Sequence, residues 1–419
     1  MCVQGKRVVV MGLGRFGGGV GVTKWLLAQG AHVLVTDLAS ENELHVQLTD
    51  LGEHPNLTIV CHEHRTKDFE QADMIIANPA VPRPWENPYL QAAWDAGVEV
   101  TTEIRLLTNQ LDRTKVIGVT GTSGKSTTAA MIHCALTCAG IRSHLGGNIG
   151  GSLLNIVSTI EPSDVIVLEL SSAMLWWLDK NVERGILGWS PGTAVLTNIE
   201  PNHIDWHGSY EAYAACKQCI FAHQLKTDSA MTQDIDATFM DLSVLGMHNQ
   251  RNAAIALLAA VSVGADAKKS REGICGFAGL PHRLQLVQEG WYNDSKSTTP
   301  NATKVAVDSF ENPESIHLIV GGFDKQIDLT MLAEQSNRVF CLYTMGETGT
   351  KIESLANGKV QSCKSLQQAV ASAKENMNDG DVVVLSPGCA SWDQFDNYEQ
   401  RGEAFCSLVV STSKHQQAQ

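Results

Sequence analysis

The run Val116-Ile117-Gly118-Val119-Thr120-Gly121-Thr122-Ser123-Gly124-Lys125-Ser126-Thr127-Thr128 decides the reading of this chain. Its β-branched opening predicts a strand, its glycines a tight turn, and Lys-Ser-Thr the first turn of a helix. Strand, glycine turn and helix N-terminus together cradle phosphate. Gly121 and Gly124 let backbone N–H groups approach phosphate oxygens, and the helix end adds partial positive charge. In such a cradle Lys125 reaches the β- and γ-phosphates of a nucleoside triphosphate, and the Ser126 hydroxyl binds Mg2+. The spacing departs from the standard Walker A pattern, because Val119 stands five residues before Gly124.

The same strand-then-helix logic extends in both directions. Before it, Arg7–Met11, His32–Thr36, Met74–Ala77 and 97–100 read as strands, with helices over 17–28 and 89–96. Around it, 115–119, 165–168 and 194–198 read as strands, and 252–263 closes the unit as a helix. After Pro281, Ile316–Val320, 339–343 and Val382–Leu385 read as strands of a third unit. The segment 227–245 has no clear period and reads as loop with possible short elements. Alternation of this kind predicts α/β domains with mostly parallel sheets. We expect three: a Rossmann-like domain over 1–104, a central P-loop-type ATPase domain over 105–280, and a Rossmann-like α/β domain over 281–419. In open parallel sheets, ligands sit at the carboxyl ends of the strands, so residues just after these runs carry the function.

A length of 419 residues accommodates two to three domains. The net charge of −14 argues against nucleic acid or an anionic membrane as the main partner. No apolar run approaches a membrane span, and no leader peptide is visible. The 11 cysteines are scattered, with no framework spacing, which suggests reduced thiols in a cytoplasm. Cys216 and Cys219 with His223 lack the fourth ligand of a closed zinc site. We expect a cytoplasmic monomer without stable membrane insertion.

Several constellations carry chemistry. Gly12-Leu13-Gly14-Arg15-Phe16-Gly17, with Asp37 at the end of the next strand, fits a dinucleotide fingerprint. The same turn holds any pyrophosphate, so it is weak as an NAD signal. Glu169 ends an apolar strand, where it can coordinate Mg2+ beside the phosphate loop; a solvated strand edge is the plainer alternative. His203 follows another apolar strand and can ligate a metal, although a lone histidine is more often structural. Lys217, on a helix face, is likewise ambiguous. Asn249 and Asn252 lie three apart, hence on one helical face, and can read an adenine edge; Asn249 can also cap that helix. Lys296, Thr298, Lys325 and Ser391 together suit a small dicarboxylate.

These strings together resemble the Mur ligase family of peptidoglycan synthesis, essentially end to end. The most specific pieces are 121–127, Gly147-Asn148-Ile149-Gly150, Glu169-Leu170-Ser171-Ser172, His203 with Lys217, Gly246-Met247-His248-Asn249 with Asn252, and Leu280-Pro281-His282-Arg283. The strings 293–298 and 386–395 point to the members that add D-glutamate. The resemblance implies a first domain that holds UDP, a second that binds ATP and a third that holds the incoming amino acid. It implies amide formation from UDP-N-acetylmuramoyl-L-alanine and D-glutamate through an acyl phosphate, with ATP and Mg2+. Residue by residue, it implies that Lys125, Glu169, His203 and Lys217 are catalytic. Ser126, Glu169, His203 and a carbamylated Lys217 would hold metal. Gly121, Thr122, Ser123, Gly124, Lys125, Ser126 and Thr127 would contact ATP with Asn249, Asn252, Arg283 and Asp294. Gly14, Arg15, Asp37, Asn148, Ser171 and His203 would face the UDP-muramoyl substrate. Lys296, Thr298, Lys325 and Ser391 would hold D-glutamate, with Tyr398 on the wall where the family has phenylalanine.

The chain departs from the family pattern at Leu38-Ala39 after Asp37, at Ala173-Met174 after the Ser171-Ser172 pair, and at Trp392 beside Ser391. The segment between Lys217 and Gly246 is also short. Competing readings are another Mur-type or folylpolyglutamate-type ligase and, in a different class, a nucleotide-binding switch. A switch has no use for the third-domain set.

Overall fold

The computed structural model describes residues 2–14, 17–182, 185–232 and 239–414. Three α/β domains are each built on one sheet. In the first, β1 (Arg7–Met11), β2 (His32–Thr36), β3 (Leu57–Val60), β4 (Met74–Ala77) and β5 (Glu99–Thr101) lie in the order β3-β2-β1-β4-β5. In the second, β6 (Val116–Thr120), β7 (Ser143–Gly147), β8 (Val165–Glu169), β9 (Thr193–Leu196) and β10 (Ser229–Thr232) lie in the order β10-β9-β6-β8-β7. All pairs in these two sheets are parallel. The third contains β11 (Gln285–Gln288), β12 (Trp291–Asn293), β13 (Ile316–Gly321), β14 (Cys341–Met345), β15 (Val360–Ser362) and β16 (Val382–Leu385). Its order is β11-β12-β16-β13-β14-β15, and only the β11–β12 pair is antiparallel.

By contacts the chain forms two compact units. One holds 1–238 with 251–274, and the other holds 239–250 with 275–419. In the first unit the two sheets share one continuous core. Val8, Val33 and Leu26 of the first domain belong to the same buried cluster as Ile104, Val116, Ile166 and Leu168. The central strands are apolar and buried on both faces, as parallel sheets require.

The helices that matter for function are α1 (Gly18–Ala28), α2 (Glu103–Thr108), α3 (Lys125–Cys138), α4 (Ser172–Leu178), α5 (Tyr210–Ala222), α6 (Met247–Ser262) and α7 (Tyr398–Lys414). Each of α1, α3 and α4 begins just beyond a strand that ends at the same edge of its sheet. One open segment gains an element, and one expectation needs correction. The segment 227–245 contains β10, a short edge strand whose polar Ser229-Ala230-Met231-Thr232 gives no apolar alternation. And α6 begins at Met247, so Asn249 lies inside the helix, not at its cap. Its Nδ2 reaches back to the Leu245 carbonyl at 2.7 Å.

Candidate functional site

The phosphate loop leaves β6 at Thr120 and enters α3 at Lys125. Gly121 has φ +151°, and a Cβ there would collide with Thr197 Oγ1. Gly124 has φ +81°, and a Cβ would lie 2.7 Å from Asn252 Oδ1. Both positions therefore demand glycine. The amides of Thr122 and Ser123 donate to Asn198 Oδ1 at 3.0 and 2.8 Å. Lys125 Nζ donates to the Gly121 and Thr122 carbonyls, both at 2.9 Å. Ser126 and Thr127 lie half-buried in the first turn of α3, and Ser123 is exposed. Asn252 is buried directly against the loop.

Lys217 lies at the heart of this region. It projects from α5, is 2% exposed, and donates to the Gly121 carbonyl at 2.7 Å. Burial, and then the neighbouring Lys125, push its pKa down to about 7. It also sits 4.8 Å from the centre of the Tyr213 ring, whose hydroxyl pairs with Thr122 Oγ1 at 2.9 Å.

Glu169 ends β8 and is buried. Its Oε1 accepts from Asn148 Nδ2 at 3.0 Å, while Oε2 has no hydrogen-bond partner among the described residues. A buried carboxylate oxygen left open in this way suits a cation. Among the described residues, no three of His, Cys, Asp and Glu gather as a ready-made metal set. The thiols of Cys216 and Cys219 are pushed up to about 11 and about 12 by burial, and His223 is engaged with Asp179 at 2.7 Å.

One cavity of about 690 Å³ joins these parts. Its walls run from Gly12, Gly14 and Asn78 in the first domain, past Asn148 and Ser171, to Thr122, Lys125, His203 and Lys217. His203 is held in the left-handed region at φ +50°, just before the helical turn Ile204–His207. Asp37 is not on these walls. Its Oδ2 accepts from the Leu13 amide and its Oδ1 from the Ala39 amide, both at 2.9 Å, so the carboxylate braces the glycine turn. Arg15 lies outside the described residues.

The cavity also contains groups that the motifs did not mark. Glu103 opens α2, is 9% exposed, and takes the Ser152 hydroxyl at 2.6 Å. Burial raises its pKa to about 7. His207 is pushed down to about 4, chiefly by burial; its Nε2 pairs with Ser172 Oγ at 2.9 Å. Neither belongs to a phosphate or metal string. For Glu103 its position at the start of a helix just after a strand end was the available signal; for His207 the sequence offered none.

In the second unit, the predicted residues gather at the carboxyl ends of adjacent strands. Lys296 and Thr298 follow β12, Ser391 follows β16, and Lys325 follows β13. Lys296 Nζ stands 3.6 Å above the Tyr398 ring, and exposed Lys325 stands 5.3 Å from the centre of the Trp392 ring. Ser391 is buried and Thr298 half-buried. Arg283 is exposed. Asp294 is buried, with Oδ1 accepting from the Leu284 amide at 3.1 Å and Oδ2 from Ser386 Oγ at 2.7 Å. Burial raises its pKa to about 6. The Asp294 carboxylate is thus committed within its own domain.

Comparison with known proteins covers the whole chain. Residues 6–102 match the Mur ligase MurD-like N-terminal domain, 119–242 the Mur ligase middle domain, and 282–389 the Mur ligase glutamate ligase domain. The UDP-N-acetylmuramoylalanine--D-glutamate ligase of Desulfatibacillum aliphaticivorans is 34% identical, over 98% of this chain and 99% of that protein. The ligase of the same name from Roseiflexus sp. (strain RS-1) is also 34% identical, over 98% and 100%. Among solved structures, the UDP-N-acetylmuramate-alanine ligase MurC of Thermotoga maritima shares the fold with a TM-score of 0.60 at 18% identity, covering 97% of this chain and 100% of that one. The MurF ligase of Thermotoga maritima, solved with ADP, gives 0.56 at 15% identity, covering 98% and 96%. With all three of its domains matched in order, and full-length relatives above 30% identity, the chain belongs to the Mur ligase family.

Proposed function

We propose that this enzyme uses ATP to join D-glutamate to the carboxyl group of UDP-N-acetylmuramoyl-L-alanine. The observation that carries the reading is the single cavity linking the glycine turn of the first domain to Lys125 and Lys217. A long nucleotide-sugar acceptor can rest its diphosphate at Gly14 and still bring its carboxylate to the phosphate loop. The names of the full-length relatives supply the substrates.

In the first step a carboxylate oxygen of the acceptor attacks the γ-phosphorus of ATP. The new O–P bond forms as the bond to ADP breaks. Lys125, at the N-terminus of α3, neutralises charge on the transferring group. To do so it turns from the Gly121 and Thr122 carbonyls toward the phosphates. In the second step the amine of D-glutamate attacks the acyl carbon, sheds a proton, and phosphate leaves as the tetrahedral intermediate collapses. Asn148 links Glu169 to the cavity wall and so couples the acceptor site to the cation site.

The open Oε2 of Glu169 fits Mg2+, which would supply charge neutralisation at the phosphates. Ser126 and Glu169 would hold one ion, and His203 with carbamylated Lys217 a second. Lys217 suits that modification, since an amine with a pKa lowered to about 7 is neutral in a substantial fraction near neutral pH, where an ordinary lysine is almost wholly protonated. Its nitrogen adds to carbon dioxide, a C–N bond forms, and a proton is lost. The resulting anion removes the cost of a buried ammonium beside Lys125. We assign the domains as 1–104, 105–280 and 281–419, and the enzyme as a cytoplasmic monomer; no described helix is long and apolar enough to cross a membrane.

The test is phosphate release from purified enzyme with each component omitted in turn. Release is expected only with ATP, Mg2+, the UDP-muramoyl acceptor and D-glutamate together. Equal turnover with L-glutamate or a diamino acid would reject the D-glutamate assignment.

A further inference from the structure

One acid on the cavity wall has no part in the steps above. Glu103 opens α2 just beyond the end of β5, with Thr102 capping the helix. It is buried and borders the cavity. Its Oε1 accepts from Ser152 Oγ at 2.6 Å, and among the described residues that is the carboxyl group's one hydrogen bond. Ser152 in turn stands against the first turn of α1: a Cβ on Gly21 would lie 2.7 Å from the Ser152 Cβ. Gly18 and Gly19, at the N-terminus of α1, line the same cavity, and no described side chain caps that helix. The carboxyl group therefore lies beside the helix end and glycine turn where the acceptor's diphosphate is placed.

The described charges around it do not hold it ionised. On its own helix, the Arg105 guanidinium turns to the Trp177, Leu187 and Asp179 carbonyls. Helix α1 carries Lys24, which pairs with Asp50 at 2.6 Å. The helical turn Leu154–Thr159 and α4, which also pack on α2, carry no ionisable side chain. Under the glycine turn, Asp37 accepts from the Leu13 and Ala39 amides. Lys125, His203, Asp205, His207, Tyr213 and Lys217 line the same cavity. None of them offsets the burial that raises the Glu103 pKa to about 7. An ionised carboxylate here would set a further negative charge beside a dianionic diphosphate in a partly desolvated cavity. The neutral acid instead has an O–H to donate.

We propose that Glu103 is a binding residue of the acceptor site, donating the O–H of its neutral carboxyl group to a diphosphate oxygen of the acceptor. The inference rests on the acceptor reading above and adds a residue to it. Ser152 sets the orientation: by donating to Oε1 it leaves Oε2 to carry the proton. Acceptor binding then requires a protonated Glu103. Where the free carboxyl group has begun to ionise, the enzyme takes up a proton from solvent as the acceptor binds. Affinity therefore falls as pH rises through about 7. The diphosphate diester itself does not titrate near neutral pH.

The test is calorimetric titration of the full-length enzyme with UDP-N-acetylmuramoyl-L-alanine, without ATP, Mg2+ or amino acid, so that no turnover occurs. Wild-type affinity should fall about tenfold between about pH 6 and about pH 8, because only about one-tenth of Glu103 stays protonated at the upper end. Titrations in buffers of different ionisation enthalpy should show uptake of nearly one proton per acceptor at about pH 8 and almost none at about pH 6. Glu103→Gln keeps a donor that cannot ionise, and should lose most of both effects. Any contribution from Lys217, which titrates in the same window, is common to both proteins. An equal fall in both proteins, a wild-type affinity that is flat or rises with pH, or no proton uptake would overturn the proposal. The wild-type uptake needs no variant, so it decides even if Glu103→Gln fails to fold. No acceptor binding at any pH would overturn the substrate reading as well, whereas binding without pH dependence overturns this inference alone.

Discussion

Replacing Glu103 with glutamine should stabilise the enzyme above neutral pH. The carboxyl is 9% exposed, borders the cavity, and has one hydrogen bond, from Ser152 Oγ at 2.6 Å. Burial lifts its pKa from an ordinary 4.5 to about 7. A folded value above the unfolded one means that the group's stabilising contribution is complete below about pH 4.5 and is lost as pH rises through about 7. At about pH 8 the ionised carboxylate costs on the order of 3 kcal/mol, an upper figure because cavity water solvates part of the charge. Glutamine keeps the shape and the acceptor for Ser152 but cannot ionise. Glu103→Gln should therefore gain roughly 1–3 kcal/mol over wild type near pH 8 and almost nothing near pH 4.5. Urea unfolding at a series of pH values measures this, followed by tryptophan fluorescence. Trp85, Trp176 and Trp206 cluster in the same unit, with ring centres 5.5 to 6.2 Å apart. A difference that does not change with pH, or a less stable variant at pH 8, would refute the reasoning.

Other outcomes follow from the same geometry. Gly124→Ala forces a side chain into the left-handed region against Asn252 and should cost about 1–2 kcal/mol locally, with nucleotide affinity falling before the global fold; titration with ATP checks it. Lys125→Ala and Glu169→Gln should each lower turnover by roughly 2.7–4 kcal/mol of activation energy while leaving circular dichroism intact; near-normal turnover in either would remove that residue from the mechanism. Lys217→Ala should be inactive and regain part of its activity with acetate or another short carboxylate. In wild type, activation by carbon dioxide should fall as pH drops below about 7, where the ammonium form dominates; a pH-independent response would count against the carbamate.

The strands with the densest β-branched residues were legible to within a residue or two: β1, β2, β4 and β16 match their sequence runs. Strands β7 and β12 were not. Ser143-His144-Leu145-Gly146-Gly147 and Trp291-Tyr292-Asn293 hold their places by pairing with β8 and β16, a tertiary effect that no local pattern carries. The phosphate loop was legible because glycine is compulsory there for steric reasons. Asp37 was legible only in part. Its position after β2 suggested a ligand contact, and the structure adds what the sequence did not show, that each carboxylate oxygen braces an amide, those of Leu13 and Ala39. Asn249 was placed correctly on α6, but as a cap it lies too late in the chain, because the helix already starts at Met247. Glu103 was invisible, because its significance lies in its burial, which only three-dimensional packing shows.

The most direct test of the account follows an oxygen atom. If the acceptor carboxylate attacks ATP, one of its oxygens must depart with phosphate when the amide forms. UDP-N-acetylmuramoyl-L-alanine carrying heavy oxygen in its carboxyl group, incubated with the enzyme, ATP, Mg2+ and D-glutamate, should give inorganic phosphate with one labelled oxygen for each amide made. Mass spectrometry reads both products. Unlabelled phosphate released alongside amide would contradict the acyl-phosphate route on which the reading of this site rests.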